Sequence, residues 1–310
     1  MCFIFSAFWS SQHSRPASET RHALGLPNCV AVAIILAAAA APAFSQPRAA
    51  ALESVRVSAG KEAVSFRTAL EAGQVFLLKA TGTIKVGSSR VDAAYGGFGA
   101  ETGVDVQDPV PGAQAGGAAS RKLWFGSPRL DHTYYMIVAG TGRPLTLRFL
   151  TDSARAGSGA VTVSLFRLSP AALTPPLETL LVPVMDRKVA TVLKTHQSAV
   201  YLLQASGSGR VGGGGLGQGD AEYMDYKADG RGAVDIGDAN TDYGLGADEA
   251  DQSISPRLHK WVGAWRADHT YYQLFEGTGR PIQFFFYDVK GGYGDNSPTD
   301  TLTVKVFSAP

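Results

Sequence analysis

Asp131-His132-Thr133-Tyr134-Tyr135, followed by Gly140-Thr141-Gly142-Arg143-Pro144, returns later as Asp268-His269-Thr270-Tyr271-Tyr272, followed by Gly277-Thr278-Gly279-Arg280-Pro281. Working outward, Leu52-Glu53-Ser54-Val55-Arg56-Val57 matches Leu177-Glu178-Thr179-Leu180-Leu181-Val182, and Val75-Phe76-Leu77-Leu78-Lys79-Ala80 matches Val200-Tyr201-Leu202-Leu203-Gln204-Ala205. The spacing between copies grows from 125 residues at Leu52 to 137 at Asp131. Solenoid repeats have periods of roughly 20–50 residues, so this is a duplicated domain. A duplication shares its scaffold, and places where the copies disagree are where a site is expected.

Within each copy the β-rich runs are short and bounded by Gly, Asp, Asn or Pro. In the second copy they are 199–205, 259–265, 271–275, 282–288 and 302–307. Thr301-Leu302-Thr303-Val304-Lys305-Val306-Phe307 alternates polar and apolar, the pattern of a half-buried antiparallel strand. Thr278-Gly279-Arg280-Pro281 reads as a turn between strands. No helical period follows residue 45. Many short strands with frequent turns predict an all-β chain with one β-sandwich per copy. The copies are expected at 49–168 and 177–310, joined by a Pro-rich linker at 169–176, where proline stiffens the chain and removes ladder donors.

Residues 1–45 read as a secretory signal peptide. An apolar, Ala-rich run from Val30 to Ala43 follows Arg15 and Arg21 and ends in Ala43-Phe44-Ser45. Such a run is too short for a comfortable membrane span. No span is expected in the mature chain of about 260 residues, enough for two ordinary domains. Both cysteines, Cys2 and Cys29, fall in this leader, so no disulfide is expected after cleavage. The expected location is secreted or periplasmic in a bacterium. The net charge of +1 comes with scattered Lys and Arg, which argues against a nucleic-acid groove.

His132 and His269 invite a catalytic reading. Their presence in both copies, each in an Asp-His-Thr turn before a strand, favours capping of backbone groups instead. The divergence lies further on. Between Asp152 and Val161 lie eight residues, and between Asp288 and Leu302 thirteen, so the second loop reads as five residues longer. It carries Asp288, Asp295 and Asn296 among glycines. Hard oxygen donors on a flexible loop suit Ca²⁺ better than Zn²⁺.

The stretch Tyr287-Asp288-Val289-Lys290-Gly291-Gly292-Tyr293-Gly294-Asp295-Asn296-Ser297 resembles the metal loop of the calcium-dependent, galactose-binding bacterial lectins of the PA-I type, Asn-Asp-Val-Pro-Gly-Thr-Tyr-Gly-Asn-Asn-Ser. The resemblance implies a jelly-roll sandwich in each copy. It implies Ca²⁺ held by the side chains of Asp288, Asp295 and Asn296 and by the backbone carbonyls of Gly292 and Val211. It implies sugar contact from Asp288, Val289 and Asp295. A family His and Gln that hold galactose correspond to Tyr223 and Tyr226, which points to galactose-like glycans or to aryl and other apolar-substituted glycosides, since tyrosine can stack on a sugar face. The first copy reads as a scaffold without a site.

The function expected is therefore non-catalytic: an exported, calcium-dependent, lectin-like protein with one site. The alternative is a structural or adhesion protein of the bacterial envelope without sugar binding. Self-association is left open by the sequence. A hydrolase would need a carboxylate pair across a cleft. Asp225, Asp229, Asp235, Asp238, Asp242 and Asp248 are numerous, but nothing in the sequence pairs them, and no Ser-His-Asp elbow, zinc motif or phosphate loop is present.

Overall fold

The computed structural model describes residues 50–59, 62–95, 103–106, 124–150, 157–169, 173, 175–211, 217–225, 233–235, 244–248, 261–265, 267–288 and 292–310. The leader expected at 1–45 lies outside them. In the first copy the strands are β1 (Glu53–Ser58), β2 (Val64–Leu70), β3 (Val75–Thr81), β4 (Ile84–Val86), β5 (Ser89–Val91), β6 (Gly103–Val106), β7 (Thr133–Ala139), β8 (Arg143–Leu150) and β9 (Gly157–Leu168). In the second they are β10 (Glu178–Pro183), β11 (Val189–Lys194), β12 (Val200–Ser206), β13 (Gly209–Arg210), β14 (Gln218–Gly219), β15 (Tyr223–Asp225), β16 (Ala233–Asp235), β17 (Gly244–Asp248), β18 (Tyr271–Glu276), β19 (Pro281–Tyr287) and β20 (Thr301–Ser308). The described residues contain no α-helix, and no helix among them is long and apolar enough to cross a membrane. The chain is all-β.

Each copy lays one sheet over another. In the first, β1, β9, β3 and β7 form a sheet facing β2, β8 and β6; in the second, β10, β20, β12 and β18 face β11, β19 and β17. A separate core fills each pair, around Phe76, Leu78, Tyr134, Leu147 and Phe149 in the first and Tyr201, Leu203, Tyr271, Phe284 and Phe286 in the second. All the pairings are antiparallel.

A third apolar cluster joins the copies. In β3, Phe76, Leu78 and Ala80 point into their own core, while Val75 and Leu77 join Tyr135 and Phe166 against Val200, Leu202, Tyr272, Leu274 and Phe307 of the second copy. These are matching positions, so the two sheets meet through equivalent outer faces. Ser127 donates from its amide and its hydroxyl to Glu276 Oε2, each at 2.9 Å, and Lys79 Nζ donates to Pro310 O at 2.6 Å across this junction. The expected linker falls between β9 and β10, and its Leu173 packs on the same cluster. Residues from Gln46 to Pro310 accordingly form one compact unit with two cores.

The repeated motifs have physical causes. A side chain at Gly140 would meet Glu71 O at 2.0 Å, and one at Gly277 would meet His196 O at 2.4 Å. Gly142 and Gly279 sit at φ +81° and +87°, which L side chains adopt at a cost. Glu53 accepts from the amides of Arg67 and Thr68, and Glu178 from those of Val192 and Leu193, where β2 and β11 lose register with their partners. One expected strand is not formed: of 259–265 the described part, from Trp261, makes only a single bridge, Val262 to Tyr272. There the Trp261 indole is committed to the core and donates to Leu245 O at 2.7 Å, as Trp124 does to Val104 O at 2.8 Å.

Leu202 is fully buried between the copies. Leu202→Ala is expected to cost about 2–5 kcal/mol, and chemical denaturation followed by tryptophan fluorescence should still show one transition, both halves losing structure together.

Candidate functional site

Asp288 follows β19 directly. The strand was expected to run through Asp288 and stops one residue earlier, because the Asp288 amide leaves the ladder and donates to the Tyr293 hydroxyl at 3.3 Å. That hydroxyl donates in turn to Phe286 O at 3.0 Å. Val289, Lys290 and Gly291 lie outside the described residues. Gly292–Asp295 form a single 3₁₀ turn, and the Asn296 amide donates to Tyr293 O at 3.3 Å. Tyr293 thus binds the two ends of the loop together. Burial pushes its hydroxyl pKa up, and the negative charges of Asp186 and Asp288 act in the same direction.

Two of the expected metal-binding side chains are buried. Asp288 is 3% exposed and Asn296 7%, whereas Asp295 is exposed. Asn296 Nδ2 donates to Val184 O at 2.7 Å, which fixes the direction of the amide. Its Oδ1 is buried and accepts no hydrogen bond. A buried acceptor without a donor is costly, by roughly 1–3 kcal/mol, and such groups in native structures usually meet water or an ion. The neighbouring residue Ser297 donates its amide to Arg210 O at 3.1 Å, so the chain at Arg210–Val211 runs beside the loop. The Val211 amide donates to Gly217 O at 3.0 Å. Arg210 donates its amide to Asp300 Oδ2 at 2.9 Å, which holds the Asp300 carboxyl below the usual range. The fold therefore gathers Asp288, Asn296 and the 210–211 segment at one end of the second sandwich.

Among the described residues no three His, Cys, Asp or Glu side chains form a metal-holding group. The expected donor set has a different make-up: two carboxylates, one amide oxygen and two backbone carbonyls. A buried Asp288 and a buried, undonated Asn296 Oδ1 fit a hard cation of the calcium kind.

The first copy differs beside the corresponding stretch. Phe149 pairs with Val104 as Phe286 pairs with Leu245, and Leu165 pairs with Glu53 as Val306 pairs with Glu178. The offset between copies is thus 137 residues before the loop and 141 after it. The second loop is four residues longer, not five, and by this register Thr151 rather than Asp152 takes the place of Asp288. In the first copy β9 begins early, and Gly157 and Gly159 pair with Val86 and Ile84 of β4. A side chain at Gly157 would meet Ala59 Cβ at 2.4 Å, and Ala59 is the counterpart of Val184, which binds Asn296. Gly157, in the β4–β9 ladder, thus lies against the counterpart of the residue that binds Asn296 in the second copy.

Tyr223 is placed as a packing residue. Its hydroxyl donates to Gly263 O at 2.9 Å and its ring lies 5.5 Å from that of Tyr271; Tyr95 does the same with Gly126 O at 2.8 Å and Tyr134 at 5.4 Å. Tyr226 lies outside the described residues.

Both histidines belong to a network missed in the sequence. His269 Nδ1 lies 2.7 Å from Asp220 Oδ2, which also accepts from the Tyr271 hydroxyl at 2.7 Å. Asp220 Oδ1 accepts from the amides of Glu222 and Tyr223 at 2.9 and 2.6 Å. Asp92, His132 and Tyr134 repeat the arrangement at 2.9 and 2.8 Å. Asp131 and Asp268 cap the turns through Thr133 and Thr270 as expected, but each histidine ring reaches a buried carboxylate instead. To do so His132 and His269 hold φ of 47° and 45°, an unusual backbone conformation for a residue with a side chain. The signal in the sequence is Asp92-Ala93-Ala94-Tyr95 and Asp220-Ala221-Glu222-Tyr223, a fifth shared motif.

Comparison of the chain with protein-family models, curated proteins and solved structures finds no match.

The hydrogen bond to Asp220 raises the His269 pKa above its ordinary value. The stabilisation from this pair is complete below the unfolded-state value of about 6.5 and is lost as pH rises through the higher folded-state pKa. Melting temperature should fall across that window in the parent chain, and His269→Gln should flatten the fall. Asp220→Ala, which strips four donors of their acceptor, should cost about 3–5 kcal/mol.

Proposed function

We propose that this chain is an exported, calcium-dependent carbohydrate-binding protein of the PA-I lectin type, built from two jelly-roll-like copies with one site, in the second. The observation that carries the reading is a buried Asp288 together with a buried, undonated Asn296 Oδ1 on a loop four residues longer than its counterpart in the first copy. Asp288, Asp295 and Asn296, with the carbonyls of Gly292 and Val211, would hold Ca²⁺. When bound, the ion supplies open coordination positions for two neighbouring sugar hydroxyls.

The chain's own residues do the rest. Asp288 supplies charge at the end of a rigid strand. Asn296 is aimed by Val184 O. Tyr293 closes the loop by bonding to both sides of it. Val289 and Asp295 are the further sugar contacts in this reading. Tyr223 is engaged in packing, so preference for an apolar-substituted, galactose-like glycoside rests on Tyr226. No bond is made or broken in the ligand.

The loop's own ties favour a second reading, a structural or adhesion protein in which Tyr293, Val184 and Arg210 suffice to hold the loop. Thermal melts in Ca²⁺ and in chelator separate the two. A ligand at a hundred times its Kd adds about 2.7 kcal/mol of stability by mass action. The lectin reading expects a higher melting temperature with Ca²⁺, lost in Asp288→Ala together with binding on a glycan array. An array signal unchanged by chelator would sink it. Tyr226→Ala should weaken glycan binding by about 1 kcal/mol while calcium affinity, read by calorimetry, stays the same.

A further inference from the structure

The turn between β10 and β11 runs Val184-Met185-Asp186-Arg187-Lys188. It is fastened to the Asp288–Asn296 loop where Val184 O accepts from Asn296 Nδ2 at 2.7 Å, and to the segment just after it where the Val184 amide donates to Asp300 O at 3.2 Å. Asp186 is exposed two residues beyond this anchor. The Val184–Asn296 bond holds the start of this turn against the loop. The duplication supplies an independent comparison. β1 and β10 match residue for residue through their carboxylate bonds to the following strand, and in sequence Lys61, which lies outside the described residues, aligns with Asp186. The copy with the buried Asp288 and Asn296 has an acid at this position of the sequence, and the other copy has a base.

We propose that Asp186 is a further carboxylate of the cation site, a charge held at its rim by the Val184–Asn296 bond that strengthens binding of a divalent ion. This rests on the calcium reading of the loop. Asp186 neither replaces nor joins the donors of the resemblance; it adds a charge from a segment the loop motif does not contain. The groups facing it are mixed in sign. Asp288 and Asp295 share the loop, and Arg187 and Lys188 follow on its own turn, with the Lys188 ammonium engaged over the Phe285 ring at 5.6 Å. A unit charge some 7 Å from a divalent ion in a water-like medium is worth about a fivefold to tenfold change in affinity.

The test is calorimetric titration of the full chain with CaCl₂ at low ionic strength, comparing the parent with Asp186→Asn and Asp186→Glu. Asp186→Asn should bind roughly fivefold more weakly, Asp186→Glu should restore affinity to within about twofold of the parent, and the metal-free melting temperatures of all three should agree. Equal affinity in the parent and Asp186→Asn would overturn the role of Asp186 while leaving the loop reading intact. A lower metal-free melting temperature in Asp186→Asn would overturn it too, by making the residue a structural one. No calcium binding by the parent itself would overturn the loop reading on which the proposal stands.

Discussion

The central strands β3 and β12 are covered on both faces, and the rest of the architecture follows from that. One face of each builds its own sandwich core; the other meets the opposite copy. A strand in a two-layer sandwich normally has one wet face and alternates. Here Val75-Phe76-Leu77-Leu78 and Val200-Tyr201-Leu202-Leu203 are apolar without a break, and all eight side chains are buried. Separating the copies would put half of those residues into water, at about 25 cal/mol for each Å² of apolar surface. The chain has no cysteine in the described residues to compensate. Burial between the copies is what makes two small cores one folded unit.

That double burial leaves the opposite ends of the sandwiches free to differ. The shared devices all sit close to the common scaffold: the Glu53 and Glu178 carboxylates over irregular strands, the paired glycine turns, and the Asp–His–Tyr networks. Each satisfies backbone or buried polar groups that would otherwise be costly. Their recurrence at equivalent positions argues for a structural role more strongly than any single distance does. The two copies differ in length at several connections, and after β8 and β19 they differ again by four residues.

How much of this the sequence disclosed depends on the range of the interaction. The β class and, to within one residue, the extents of β12, β18 and β20 follow from β-rich composition and flanking turn residues, which are short-range properties. So does the attention drawn to Asp288, Asp295 and Asn296, since a duplicated chain exposes its own differences. The partners of His132 and His269 were harder, because Asp92 lies 40 residues from one and Asp220 lies 49 from the other. Tyr223 looked available for stacking in a sequence because nothing local reveals that Gly263 O takes its hydroxyl. The loop-length difference read from sequence is one too large for a similar reason. Two aspartates, Asp152 and Asp288, invited alignment by type, and only strand register shows that Thr151 is the true counterpart.

The early start of β9 bears on how such a pair of domains can change. Gly157 and Gly159 keep the first copy's strand hydrogen-bonded to β4, and Gly157 lies close against Ala59, the counterpart of Val184. Exchanging side chains along β9 would leave that ladder in place. What separates the copies is the length of the chain between two strands, a difference written in insertions and deletions, so the route from one state to the other passes through a change in backbone path before any choice of side chain matters.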